Sequence, residues 1–247
     1  MPTQKPSDES GVVESQIRGT MATVRWSRPQ KRNAFDSSLA ERVAGVLESL
    51  AENTDLALVV LRSDGPIYCA GWDLDEIQSV RTSEQASALV GSGRRCLRAI
   101  DRLPQVVVSV VEHSSLGFGV AMLAHSDLTI VSNSARILLP ELRHGIVPAS
   151  VLGDLVAKVG RARALRWCLA GEVPLDEAVT SGLVSEVVGS ERFEAEIKTR
   201  VEAISLQVPA AVHATKRLSS ALRGDQSAIY AQGDAHAVSM LSARVES

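Results

Sequence analysis

The segment SSLGFGVAMLAHSD, residues 114 to 127, sets two serines and two glycines around Phe118 and then runs into apolar residues. That order predicts a helix start, where the first backbone N–H groups have no partner within the helix. The positive end of the helix dipole falls at the same place, so the turn suits negative charge. A second turn, DGPIYCAGWDLDEI at 64 to 77, follows an apolar run at 56–63. Two N–H donors converging on one oxygen make an oxyanion hole, and loss of one donor costs about 10²–10³ in rate. Glu141 and His144, in LLPELRHGI, read on their own as a surface helix-start acid and a loop histidine. The two segments also have a plain counterpart, as ordinary tight turns.

Other chemistries fit less well. The apolar run 106–111 leads into Gly117-Phe118-Gly119, but Met122 occupies the place of the third glycine in a dinucleotide fingerprint. Ser114, Ser115, His113, His125 and Asp127 crowd together without a G-x-S-x-G elbow. The simpler reading has Ser114 or Ser115 capping the helix, with His125 and Asp127 at its end. The three cysteines, Cys69, Cys96 and Cys168, are too widely spaced for a disulfide framework or a C-x-x-C metal site. Cys69 reads as a small buried filler. Glu141 and His144 lack further ligands nearby, so no metal site is expected.

These residues need elements to position them. Strands are predicted over 20–26, 56–63, 106–111 and 128–132, the second apolar enough to be buried on both faces. Phe35, Leu39, Val43, Val46, Leu47 and Leu50 form a helical stripe, and a further helix spans 117–125. Helical periodicity marks 151–170, 176–181, 191–205 and 210–222, with a weaker signal over 225–245. Pro209 suits a first helical turn and Gly182 a helix stop. The pattern predicts an α/β core with a helical C-terminal portion.

A chain of 247 residues with 45% hydrophobic and 22% charged residues and a net charge of −3 is of globular composition. It lacks the basic excess of a nucleic-acid binder. Apolar runs such as VVVSVV are far short of a membrane span. The polar start, MPTQKPSDESG, has no signal-peptide core, so a reducing cytoplasmic setting is expected.

Four segments, PQKRNAF, CAGWDLDEI, LGFGVAMLAHSDLTIVSNSARILLPELRHGIVP and AGEVPLDEAVTSGLVSEVV, occur in that order between about Thr20 and Leu222. Together they resemble the enoyl-CoA hydratase/isomerase (crotonase) superfamily. The resemblance implies a crotonase-type spiral of ββα units with a helical C-terminal region. It implies a frayed tail over 1–14, a spiral core over 15–190 and a helical trimerisation region over 191–247. It further implies acyl-CoA thioesters as ligands, with coenzyme A as part of the substrate and no separate cofactor, and assembly as a homotrimer or hexamer.

Carried over by position, the N–H groups of Ala70 and Phe118 match the family's thioester oxyanion hole. Phe118 stands where glycine is common, and since only proline lacks the N–H, the donor is kept. Its ring is expected to line the acyl pocket. Ala121 matches the first catalytic glutamate of the hydratases and Glu141 the second. Trp72, beside the oxyanion turn, is expected in the substrate pocket against the pantetheine or adenine, with Asp73 holding the turn, and His144 is expected there as an accessory acid or base if it faces the pocket. Lys31, Arg32 and Lys216 are candidates for the coenzyme A phosphates by charge, since the family places basic residues in comparable segments, the last often reaching a neighbouring subunit. Adding water needs both an activated water and a delivered proton, work that two carboxylates share. One glutamate favours isomerase-type proton transfer. Hydration, decarboxylation of a malonyl-type thioester, carboxymethylproline synthase-like carbon–carbon bond formation and non-catalytic acyl-CoA binding are the alternatives.

Overall fold

A computed structural model describes residues 11–224 and 226–243. Strands β1 (Val12–Arg18) and β2 (Met21–Ser27) form an antiparallel pair, followed by helix α1 (Ser37–Ala51). Next come β3 (Leu58–Ser63), β4 (Ile67–Cys69), α2 (Leu74–Ser79) and α3 (Ser83–Arg102). The next pass comprises β5 (Val106–Val111), β6 (Ser114–Leu116) and α4 (Phe118–His125). A third begins with β7 (Leu128–Ser132) and β8 (Ile137–Leu138) and continues through a 3₁₀ turn at Glu141–His144 into α5 (Ala149–Val159) and α6 (Arg161–Ala170). The remaining elements are β9 (Glu172–Val173), α7 (Leu175–Thr180), β10 (Glu186–Val188), α8 (Phe193–Ser205), α9 (Pro209–Arg223) and α10 (Ser227–Ala243).

Two sheets result. The larger has the order β1-β2-β3-β5-β7-β10 and is parallel except for β1; the smaller has the order β4-β6-β8-β9. After the β1–β2 pair and α1, three successive passes, β3–β4, β5–β6 and β7–β8, each lay one strand in the large sheet and the next in the small one before helices return the chain, which makes a spiral. Strands β3 and β5 are buried on both faces. Val59, Leu61, Val107 and Val111 enter the main core, whereas Leu58, Val60, Val108 and Val110 pack against Phe193 and Ile197 of α8. Covering both faces requires continuous apolar runs rather than alternation.

Several expectations are corrected. The tail expected over 1–14 is shorter, because Val12–Glu14 already pair with β2; residues 1–10 lie outside the described residues. Most of β1 is exposed, so no apolar pattern announces it. The helix expected over 151–170 is two helices, broken at Gly160, whose φ of +84° suits glycine. No serine caps α4: Ser114 and Ser115 belong to β6, and Gly117 is the N-cap, with no side-chain bond. The twenty-residue α3 went unpredicted because its buried face carries Ala86, Ser92, Gly93, Arg94 and Cys96 among few large apolar residues. A reciprocal capping box between Thr82 and Gln85 starts it.

Candidate active site

Strands β4 and β6 run side by side in parallel, Cys69 opposite Ser115, so the turns that follow them meet. Ala70 stands directly after β4, and Phe118 opens α4 with an N–H that has no acceptor within the helix. Gly71 and Gly117 bring the two turns into contact. A Cβ on Gly71 would stand 3.7 Å from the Leu116 carbonyl oxygen and 3.9 Å from Gly117 Cα. Both have positive φ, +97° and +49°. Gly119 is required by packing, since a Cβ there would lie 2.7 Å from Cys69 Cβ and 2.5 Å from Ser115 Oγ. Cys69 beneath the turn is no nucleophile, because burial pushes its thiol up to about 12.

Glu141 reaches the same place through β8. Leu138 pairs with Leu116 of β6, and the Gly117 N–H donates to the Leu138 carbonyl at 3.1 Å. The chain then passes Pro140 into the 3₁₀ turn that begins at Glu141. A Cβ on Gly117 would stand 2.7 Å from Glu141 Oε1, so the bare glycine makes room for the carboxyl group. Glu141 Oε2 is buried without a hydrogen-bond partner. Burial holds its pKa above the ordinary carboxylate value, only partly opposed by its own backbone N–H.

A cavity of about 150 Å³ extends from this point and is lined by Glu141, Phe118, Trp72 and Ala121. The Phe118 ring packs between Phe35 and Trp72, with centroids 5.1 and 5.0 Å away. Gly93 of α3 leaves space for the Trp72 and Phe118 rings: a Cβ there would be 3.0 Å from Trp72 and 3.3 Å from Phe118. The Trp72 indole donates to Glu76 Oε2 at 2.7 Å, which fixes its plane. Asp73 holds the turn by accepting from Asp75 N and pairing with buried Arg28 at 2.9 Å.

The other end of the cavity is ionic, with Arg94, Asp154 and Asp234 in its wall. Arg94 donates to Asp154 Oδ1 at 2.9 Å and to both oxygens of Asp234 at 2.6 and 2.8 Å. His125 reaches Asp101 through Nδ1 at 2.7 Å and Asp154 through Nε2 at 3.1 Å. Desolvation alone would lower the imidazole pKa, but the bonds to Asp101 and Asp154 outweigh it and raise it to about 9. His125 is therefore a buried cation rather than ornament at a helix end.

The fold thus brings together Ala70, Trp72, Phe118, Ala121 and Glu141. Lys31 pairs with Asp75 and Asp73, near the backbone bridge between Phe35 and Trp72, and exposed Arg32 follows it in a left-handed conformation. Two expected positions fall elsewhere. His144 is exposed and does not line the cavity, because the 3₁₀ turn has half-buried Glu141 at its start and His144 at its solvent end. Lys216 on α9 donates to the Gln105 carbonyl at 2.9 Å and pairs with Asp127 at 2.6 Å, in a separate cleft. Gly93, Arg94 and Asp154 escaped sequence reasoning. The one available signal was an aspartate set among Leu152, Leu155 and Val156 in an apolar helix.

The enoyl-CoA hydratase/isomerase family model matches residues 16–244, and the chain belongs to that family, whose members act on acyl-CoA thioesters. The 2,3-dehydroadipyl-CoA hydratase of Escherichia coli is 28% identical over 182 residues, covering 73% of this chain and 69% of that protein. The peroxisomal Delta(3,5)-Delta(2,4)-dienoyl-CoA isomerase of Arabidopsis thaliana is 28% identical over 204 residues, covering 77% and 73%. A crystal structure of an enoyl-CoA hydratase from Mycobacterium smegmatis superposes with a TM-score of 0.80 at 28% identity, covering 93% of this chain and 89% of that one. The fold is the mixed α/β spiral of these relatives.

Proposed function

We propose that this enzyme moves the double bond of an enoyl-CoA thioester by isomerase-type proton transfer through Glu141. The thioester carbonyl lies between the Ala70 and Phe118 N–H groups. Glu141 takes a proton from the carbon next to that carbonyl, and the electron pair passes to the oxygen as a dienolate. The two amides and the helix dipole of α4 stabilise that charge. Returning the proton at the far carbon of the dienolate restores the carbonyl and leaves the double bond conjugated with it.

One observation carries the reading. The carboxyl group beside the oxyanion turns is Glu141, its Oε2 unpartnered and its pKa raised by burial, while Ala121 offers only a methyl group. Asp154 and Asp234, the other carboxylates of the cavity wall, are bonded to Arg94. A wild-type assay with product identification tests it: 3-enoyl-CoA is converted to 2-enoyl-CoA, much faster than 2-enoyl-CoA is hydrated. Hydration as fast as isomerisation, or no turnover, overturns the reading. Lys31 and Arg32 supply positive charge for coenzyme A phosphates. Exposed Leu206, Val208, Leu218 and Leu222 on and beside α8 and α9 support self-association as a trimer or hexamer, which light scattering measures.

A further inference from the structure

The Phe118 ring ties the turn after β6 to the turn after β4. It stands 5.1 Å from the Phe35 ring and 5.0 Å from that of Trp72, which it meets edge-on at 87°. Both neighbours are fastened to the other turn. The Phe35 N–H donates to the Gly71 carbonyl at 2.9 Å, and the Phe35 carbonyl accepts from the Asp73 N–H at 2.7 Å. One residue thus clasps the chain on either side of Trp72. Trp72 is pinned in turn, since its indole donates to Glu76, whose carboxylate also accepts from the Ser37 N–H at the start of α1. Phe35 is fully buried and packs on Trp26 as well, 5.6 Å away.

This frame bears on a backbone donor. As the first residue of α4, Phe118 has an N–H that the helix itself does not engage. Ring and N–H share one Cα, so holding the ring holds the donor. Edge-to-face aromatic pairs have a preferred geometry, and the contact with Trp72 therefore fixes orientation as well as burying area. Gly93 of α3 sets the limit on the third side: a Cβ there would stand 3.0 Å from Trp72 and 3.3 Å from Phe118, so either ring would have to give way. Precision of this kind matters because a misplacement of about 1 Å can cost about 10²-fold in rate.

We propose that Phe118 acts as a positioning residue through its side chain: the ring, clamped between Phe35 and Trp72, locks the Phe118 N–H in register with the turn that carries the Ala70 N–H. The inference rests on the oxyanion-hole reading but not on the isomerase chemistry. Its test therefore uses a ligand that cannot react. Saturated hexanoyl-CoA, isotopically labelled at the thioester carbonyl, is bound to the full chain, and the carbonyl stretch is recorded by difference infrared spectroscopy. Hydrogen bonds to the oxygen lower that frequency, and a single fixed geometry keeps the band narrow. In the wild type the band is narrow and lies below that of the free ligand. Phe118→Leu keeps apolar bulk but loses the ring, so the band broadens and moves most of the way back. Gly93→Ala removes neither ring but displaces them, and it broadens the band to a smaller extent.

A band unchanged in position and width in folded Phe118→Leu overturns the proposal, because a ring that only fills space leaves the carbonyl unmoved. If Phe118→Leu does not fold, Gly93→Ala decides, and an unchanged band there overturns the proposal equally. A wild-type band at the solution frequency defeats the oxyanion-hole reading itself, and absence of hexanoyl-CoA binding defeats the acyl-CoA reading.

Discussion

The two ends of the cavity bury carboxylates under the same apolar pressure and reach opposite results. At one end Glu141 has no cationic neighbour bonded to it, and desolvation pushes it toward the protonated form. At the other, Asp154 and Asp234 are matched by Arg94 and His125, and the imidazole is driven to keep its proton. Burial alone thus does not decide charge; the presence of a partner does. A lone carboxylate whose pKa is raised by burial accepts and returns a proton more readily than an ordinary one, as a proton shuttle requires. A paired cluster exchanges nothing readily and instead fixes α3, α4, α5 and α10 together.

The contrast predicts that the two ends fail differently. Glu141→Gln lowers kcat by about 10²–10⁴-fold, the usual contribution of a positioned acid–base group. Its thermal midpoint at neutral pH stays level or rises, because the buried charge is gone. A large fall in stability with little loss of rate would place Glu141 among the structural groups instead. Arg94→Met reverses the pattern. Removing Arg94 strands Asp234, leaves Asp154 with His125 alone and costs about 3–5 kcal/mol, read by urea unfolding.

Smaller effects follow from pH. Folded His125 holds its proton more tightly than the unfolded chain, in which histidine titrates near 6.5. Its contribution to stability is therefore full below pH 6.5 and lost as pH rises through about 9. Urea titrations across that window show a decline that His125→Gln, though less stable throughout, flattens. Glu141 must be ionised to accept a proton, so kcat/KM rises with pH through a midpoint above the ordinary carboxylate value of 4.5. A midpoint at or below 4.5 would mean that the group is solvated in the working enzyme.

Much of the Glu141 end was legible because its pieces are local. Gly117, Phe118 and Ala121 occupy one turn and its helix, and strands β7 and β8 carry the chain from there to Glu141. Strands β2, β3, β5 and β7 carried continuous or alternating apolar runs that mark them directly. Strand β1 did not, since an exposed edge strand needs no apolar face. Serine beside a helix start suggested capping, yet parallel pairing of β4 with β6 drew both serines into a sheet. His144 shows the limit of spacing arguments: three residues from Glu141, it faces solvent because the turn ends there.

By itself the sequence marked the two turns proposed here as the oxyanion hole. A backbone N–H at a helix start, two glycines permitting close approach and one carboxylate in the following segment are properties of short stretches, fixed by local sterics and dipoles. The ionic end of the cavity was decided only by tertiary structure. Arg94 meets Asp154 across 60 residues and Asp234 across 140, and no local pattern encodes such pairings. Charged residues on separate helices become partners only when the core excludes water around them. That exclusion makes each pairing consequential, because removing one partner leaves a buried charge uncompensated.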